Sequence, residues 1–89
     1  MQPEEDPYNS FREKLEKAYQ WPALYTFKFI APAHKIEEVK ALFPRHEINE
    51  KASSKGKYHS LTINIMARSS EEIITYYIEV HKIGEILSL

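Results

Sequence analysis

The chain contains no cysteine. Neither a disulfide framework nor a thiolate metal site can then supplement its core, and a disulfide-stapled secreted mini-protein is excluded. The first residues, Met1-Gln2-Pro3-Glu4-Glu5-Asp6-Pro7, lack both the basic and the apolar region of a signal peptide. No apolar run approaches the roughly 20 residues that cross a bilayer. A protein of the reducing cytoplasm with no membrane contact is therefore expected. Charge of one sign is lacking as well: twelve basic against thirteen acidic residues leave a formal charge of -1. No global field draws in nucleic acid, and a polyanion would need a local patch. A chain of 89 residues builds one core, burying roughly 60–65% of its unfolded surface, and leaves no room for a second domain. Internal repeats, low-complexity tracts and linkers are absent too.

What is present is a clear run of periodic segments. Residues 1–9, with consecutive acids and Pro3, Pro7 and Asn9, form an expected flexible acidic tail, ahead of a single domain over 10–89. Ser10 is the expected N-cap of a helix running from Phe11 to Gln20, whose stripe is Phe11, Leu15, Ala18 and Tyr19. Trp21-Pro22 ends it, because the residue before proline is pushed towards extended backbone. Residues 23–31 alternate as a strand, with Tyr25, Phe27 and Phe29 on one face and Thr26 and Lys28 on the other. From His34 to Phe43, Ile36, Val39, Leu42 and Phe43 share a helical face, and Pro44 stops the helix. A polar strand over 45–53 and the turn Ser54-Lys55-Gly56 lead to the most regular strand, 57–67. There Leu61, Ile63 and Ile65 alternate with Ser60, Thr62 and Asn64. Ser69 or Ser70 caps a helix running to Lys82 with Glu71 and Glu72 in its first turn, Gly84 breaks it, and residues 85–89 form a last short strand.

This order predicts an α+β, ferredoxin-like β-α-β-β-α-β two-layer sandwich with an additional N-terminal helix. The first and third strands are central, since each has one apolar face to place beneath helices and one polar face for solvent. The expected core joins Phe27, Phe29, Leu61, Ile63 and Ile65 to Val39, Leu42 and Tyr77.

The run Ser54-Lys55-Gly56-Lys57-Tyr58-His59-Ser60-Leu61-Thr62-Ile63, with Pro22 before the first strand and Lys82-Ile83 before the last, closely resembles the YbeD-like family of small bacterial proteins of unknown function. The resemblance implies a ferredoxin-like fold similar to ACT-type regulatory domains, which bind small effectors at paired interfaces. Those domains commonly place glycine in the loop after the first strand, where this chain has Ala31-Pro32-Ala33.

No constellation of side chains specifies a reaction. His34, His46, His59 and His81 fall on four different elements without metal-ligand spacing, so no metal or cofactor is expected. The only Asp lies in the tail, and Ser60 and His59 point to opposite sheet faces, which argues against a triad. Glu37-Glu38 and Glu71-Glu72 are helix neighbours that do not face each other. RNA-recognition modules share this topology but stack bases on open-face aromatics, and the aromatics here keep step with the core. Two features remain. The last helix carries Ile73, Ile74, Tyr76, Tyr77, Ile78 and Val80, more apolar surface than a sheet requires; either the N-terminal helix covers the excess or a second subunit does, and a homodimer is expected. The hairpin concentrates positive charge. Lys51, Ser54, Lys55, Gly56, Lys57, Tyr58, His59 and Ser60 are the candidate binding residues for a small anionic ligand or a protein partner, with the amides near Gly56 forming an anion nest. The rival for this charge is a hairpin tip that only discourages edge aggregation. The expected function is a non-enzymatic regulatory or binding domain; the alternative is a nucleic-acid-binding module, with an enzyme third.

Overall fold

Alternation and helical periodicity resolve into seven main elements in the computed structural model, which describes residues 6–89. They are α1 (Asn9–Ala18), β1 (Ala23–Pro32), α2 (Ile36–Ala41), β2 (Ile48–Ala52), β3 (Tyr58–Ala67), α3 (Ser70–Ile83) and β4 (Leu87–Ser88), with a 3-10 turn over Ala33–Lys35 ahead of α2. The strands form one antiparallel sheet in the order β2-β3-β1-β4. With α2 and α3 on one face, this is the ferredoxin-like two-layer arrangement, and β1 and β3 are its central strands.

The core follows from strand parity. Phe27 and Phe29 of β1 and Leu61 and Ile63 of β3 are fully buried, as are Val39 of α2 and Ile73 and Val80 of α3. Leu42 and Tyr77 pack against this cluster while only half-buried. The Tyr77 hydroxyl lies 2.9 Å from that of Tyr25, and burial, then this bond, pushes the Tyr77 phenol well above its ordinary pKa.

Capping chemistry fixes both ends of α3. Of the two candidate serines, Ser69 is the cap: its Oγ accepts the Glu72 N–H at 3.1 Å, while the Glu72 carboxylate accepts the Arg68 N–H at 2.7 Å, a variant of the capping box. Ser70 is buried instead. At the other end, Gly84 (φ 84°) and Glu85 (φ 67°) turn the chain through the left-handed region. Lys35 reaches across from the 3-10 turn and donates to the carbonyls of Ile83 at 2.7 Å and Gly84 at 3.2 Å. An ammonium there complements the negative end of the α3 dipole.

The N-terminal helix differs in detail from expectation. Ser10 lies inside α1; the N-cap is Tyr8, whose side chain makes no capping bond. Asp6 supplies the missing acceptor by taking the Tyr8 N–H at 2.9 Å, and it also pairs with Arg12 at 2.8 Å. Those two partners lower the Asp6 pKa, the backbone N–H most. Of the expected tail, residues 1–5 lie outside the described residues. Arg12 further grips both carboxylate oxygens of Glu71 on α3, Phe11 meets the Tyr77 ring edge-on at 5.5 Å, and Leu15 is buried. The apolar excess of α3 is thus met by the chain's own first helix, so it lends no support to the expected homodimer. The outer strands are shorter than expected, five residues for β2 and two for β4; β4 cannot begin at Glu85, whose φ of 67° is not that of a strand.

Ile63→Ala should destabilise the fold by about 2–5 kcal/mol, as the fully buried side chain leaves a cavity between sheet and helices. Denaturant titration checks this; a change near zero would contradict the assigned core face.

Candidate functional site

Because helices cover one face of the sheet, the other is left to solvent, and the strand registers arrange it as a grid. One row runs Lys51, Ser60, Ile30, Leu87 across β2, β3, β1 and β4. Beyond it towards the hairpin, Tyr58 stands opposite Pro32. On the other side, Asn49, Thr62 and Lys28 form a row that Leu89 joins through its N–H to the Lys28 carbonyl at 2.9 Å. Then come Asn64 opposite Thr26, joined by a side-chain hydrogen bond of 2.6 Å, and Met66 opposite Leu24.

Five of the eight predicted residues, Lys51, Ser54, Tyr58, His59 and Ser60, line one shallow depression of about 370 Å³ with Ile30, Ala52 and Ser53. Lys55, Gly56 and Lys57 stand at the tip, outside it. The tip is a tight turn: Gly56 (φ 74°) donates its N–H to the Ser53 carbonyl at 2.9 Å, and Ser53 N–H to the Tyr58 carbonyl at 2.8 Å. A Cβ on Gly56 would meet nothing within 4 Å, so backbone conformation rather than space requires glycine. The Gly56 amide is therefore not free for the expected nest. The Ala33 N–H, in the loop where ACT domains use glycine, is likewise engaged, by the Lys57 carbonyl at 2.9 Å.

His59 belongs to the helix side of the sheet. Its Nδ1 lies 2.5 Å from the carboxylate of Glu50 on β2, whose other oxygen accepts from Lys40 of α2 at 2.6 Å. Lys40 first and His59 second hold the Glu50 carboxyl below its ordinary pKa, and Glu50 in turn raises that of Lys40. This chain of three ties the hairpin strands to α2. The other histidines are scattered: His34 near Glu85, His46 between Phe43 and Tyr76, and His81 beside Ser88. Among the described residues no three His, Asp or Glu side chains gather to hold a metal ion.

Sequence reasoning missed the apolar half of this face. Leu24, Tyr58, Met66, Leu87 and Leu89, each 52–72% exposed, all stand on the solvent side of the grid, and only Tyr58 was anticipated. The signal was available: Leu24, Ile30 and Met66 share the parity of Thr26, Lys28 and Asn64, and so break the polar alternation.

A ferredoxin-like sandwich with an unpartnered, partly apolar sheet face defines the class. The family model described as "Protein of unknown function (DUF493)" matches residues 16–88, and the chain belongs to that family. It is similar to the UPF0250 protein YbeD of Escherichia coli, 33% identical over 79 residues that cover 81% of this chain and 91% of that one. UPF0250 protein SG0794 of Sodalis glossinidius is 34% identical over 79 residues, with the same coverage. UPF0250 protein Shewana3_0990 of Shewanella sp. strain ANA-3 is 34% identical over 73 residues, covering 74% of this chain and 83% of the relative. No solved structure matches the chain, and among the described residues no helix is long and apolar enough to cross a membrane.

The Glu50 cluster sets an acid dependence. Its carboxyl is depressed in the folded state, so its contribution is fully present above the unfolded value of about 4.3 and is lost as pH falls through the lower folded value. Glu50→Gln should remove this share: on acidification the variant's melting temperature should fall less than that of the wild type. Parallel melting curves would show that Glu50 gains nothing from Lys40 and His59.

Proposed function

We propose that the chain is a non-enzymatic binding domain, regulatory in the manner of ACT-type modules, whose contact surface is the open sheet face with the 54–60 hairpin. The observation that carries this reading is the depression that brings Lys51, Ser54, Tyr58 and Ser60 together beside Ile30, with His59 and Ala52 at its edge. A mostly apolar concavity with a few convergent polar groups is the usual form of a recognition site. Catalysis finds no counterpart there: the Ser60 hydroxyl faces the Lys51 carbonyl at 3.4 Å, while His59 turns to Glu50 on the opposite side of the sheet. Base stacking of the RNA-recognition type is also disfavoured, because Phe27 and Phe29 are fully buried and Tyr58 is the one aromatic on the open face of the central strands. Charge-assisted contacts at so exposed a site are screened by salt, which makes for modest affinity.

Amide NMR tests the proposal. Phosphorylated and carboxylated metabolites, then cell extract, are added to the wild type and to a Lys51→Glu/Tyr58→Ser variant, both exposed positions whose change leaves the core intact. Saturable shifts at Ile30, Tyr58 and Ser60 that vanish in the variant are expected. Spectra unchanged by every addition would remove the reading, and shifts lost only in a Lys55→Glu/Lys57→Glu variant would move the site to the hairpin tip.

A further inference from the structure

We infer that the open sheet face docks an acidic, amphipathic segment of a partner protein. This rests on the binding reading just given and assigns its partner class. Charge is sorted between the two sides of the sheet. At the strand positions of the open face stand Lys28 and Lys51, with Lys55 and Lys57 at the adjoining tip, and no Asp or Glu occurs among them. Glu47 lies one residue outside β2. None of these four lysines has an ion-pair partner among the described residues; away from the face, Lys35, Lys40 and Lys82 each hold a glutamate, while Lys14 and Lys17 of α1 do not. In a chain of net charge -1, this local surplus is matched by carboxylates on the helices, such as Glu37, Glu38, Glu71 and Glu79. The face therefore presents uncompensated cations to whatever covers it, and such complementarity steers and selects a partner.

The apolar groups decide what kind of acid the partner is. Leu24, Tyr58, Met66, Leu87 and Leu89 are the large hydrophobics left exposed among the described residues, and all lie on this face. The rows from Leu24–Met66 to Pro32–Tyr58 span roughly 27 Å along the strands, and four strands span roughly 14 Å across. That track runs well past the depression at its hairpin end, so a metabolite seated there would leave most of it uncovered, and it falls below the about 800 Å² per side of a standard interface, which places it among weak, reversible contacts. A nucleic acid would leave the aliphatic Leu24, Met66, Leu87 and Leu89 without partners. It would also find no arginine at the open-face strand positions, where phosphate recognition favours the guanidinium fork. An amphipathic segment satisfies both components, with apolar side chains over Ile30–Leu87 and Leu24–Met66 and carboxylates over Lys28 and Lys51.

The probe is a synthetic helix-forming peptide of about 18 residues, long enough to follow the track, made of leucine on one face and glutamate on the other, with a lysine-for-glutamate counterpart. Titrated into the labelled full chain, the acidic peptide should give saturable amide shifts at Lys28, Lys51, Tyr58 and Leu87. Affinity should fall about tenfold or more in a Lys28→Glu/Lys51→Glu variant, since reversed rim charges repel the same peptide, and also with added salt. The melting temperature of the variant confirms that it is folded. Equal shifts from both peptides would overturn charge selection. Shifts from a short polyuridine or from inorganic polyphosphate, with none from the acidic peptide, would overturn the protein partner while leaving the open face as the contact surface. Silence with every probe, and with the metabolites as well, would remove both readings.

Discussion

The ten-residue pairing of β1 with β3 is the constraint on which the rest of this structure depends. From Ala23 opposite Ala67 to Pro32 opposite Tyr58 the two strands run in continuous register, and through Phe27–Phe29 and Leu61–Ile65 each alternates apolar with polar residues. A slip of one residue would set Phe27 and Phe29 on the face of Thr62 and Lys28 on the face of Leu61 and Ile63, so that one strand or the other would turn its apolar side to water. The hydrophobic effect therefore fixes the register, and the register fixes everything on the far side of the sheet. Which side chains form a row with Ser60 or Thr62 is decided by residues that never touch solvent.

The helices are attached to this pair by a few specific polar contacts laid over broad apolar packing. Lys35 closes the end of α3, Ser69 and Glu72 open it, Arg12 fastens α1 to Glu71, and Lys40 holds the edge strand through Glu50. Most of these are partly exposed and individually modest. Their value lies in direction: the Lys35, Arg12 and Lys40 contacts each link one element to another that the hydrophobic core alone would leave free to slide, and the Ser69–Glu72 cap fixes where α3 begins.

Long periodic segments were legible in the sequence, and short or composite ones were not. β1, β3 and α3 carry enough apolar residues for the period to be counted, and their ends fell within a residue of expectation. α1 began earlier than expected because its N-terminus is satisfied by Asp6, three residues ahead of the helix, rather than by a serine in the usual capping position. β2 and β4 depend on pairing with β3 and β1, and no local pattern states how far that pairing extends. In the candidate site, the hairpin was visible through Gly56 and its lysines. The apolar residues of the open face were hidden because Leu24, Ile30 and Met66 look like ordinary core residues until the strand's parity is applied to every position. The Lys40–Glu50–His59 contact joins three elements and leaves no spacing signature along the chain.

β4 contributes Leu87 to the open face yet holds to the sheet by very little. Two of its residues pair with β1, at Phe29 and Ile30, and its approach is steadied by the Lys35 ammonium on the Ile83 and Gly84 carbonyls. Among the strands it has the fewest contacts to break, which makes it the first to fray and the quickest to exchange its amide protons with solvent. The row of Lys51, Ser60, Ile30 and Leu87 is therefore complete only while β4 is seated. Anything that binds across the whole row binds the closed form in preference to the frayed one, and by linkage it must slow exchange at Leu87 and Leu89. Occupancy of the face and order in the last strand are in this sense one equilibrium, seen from its two ends.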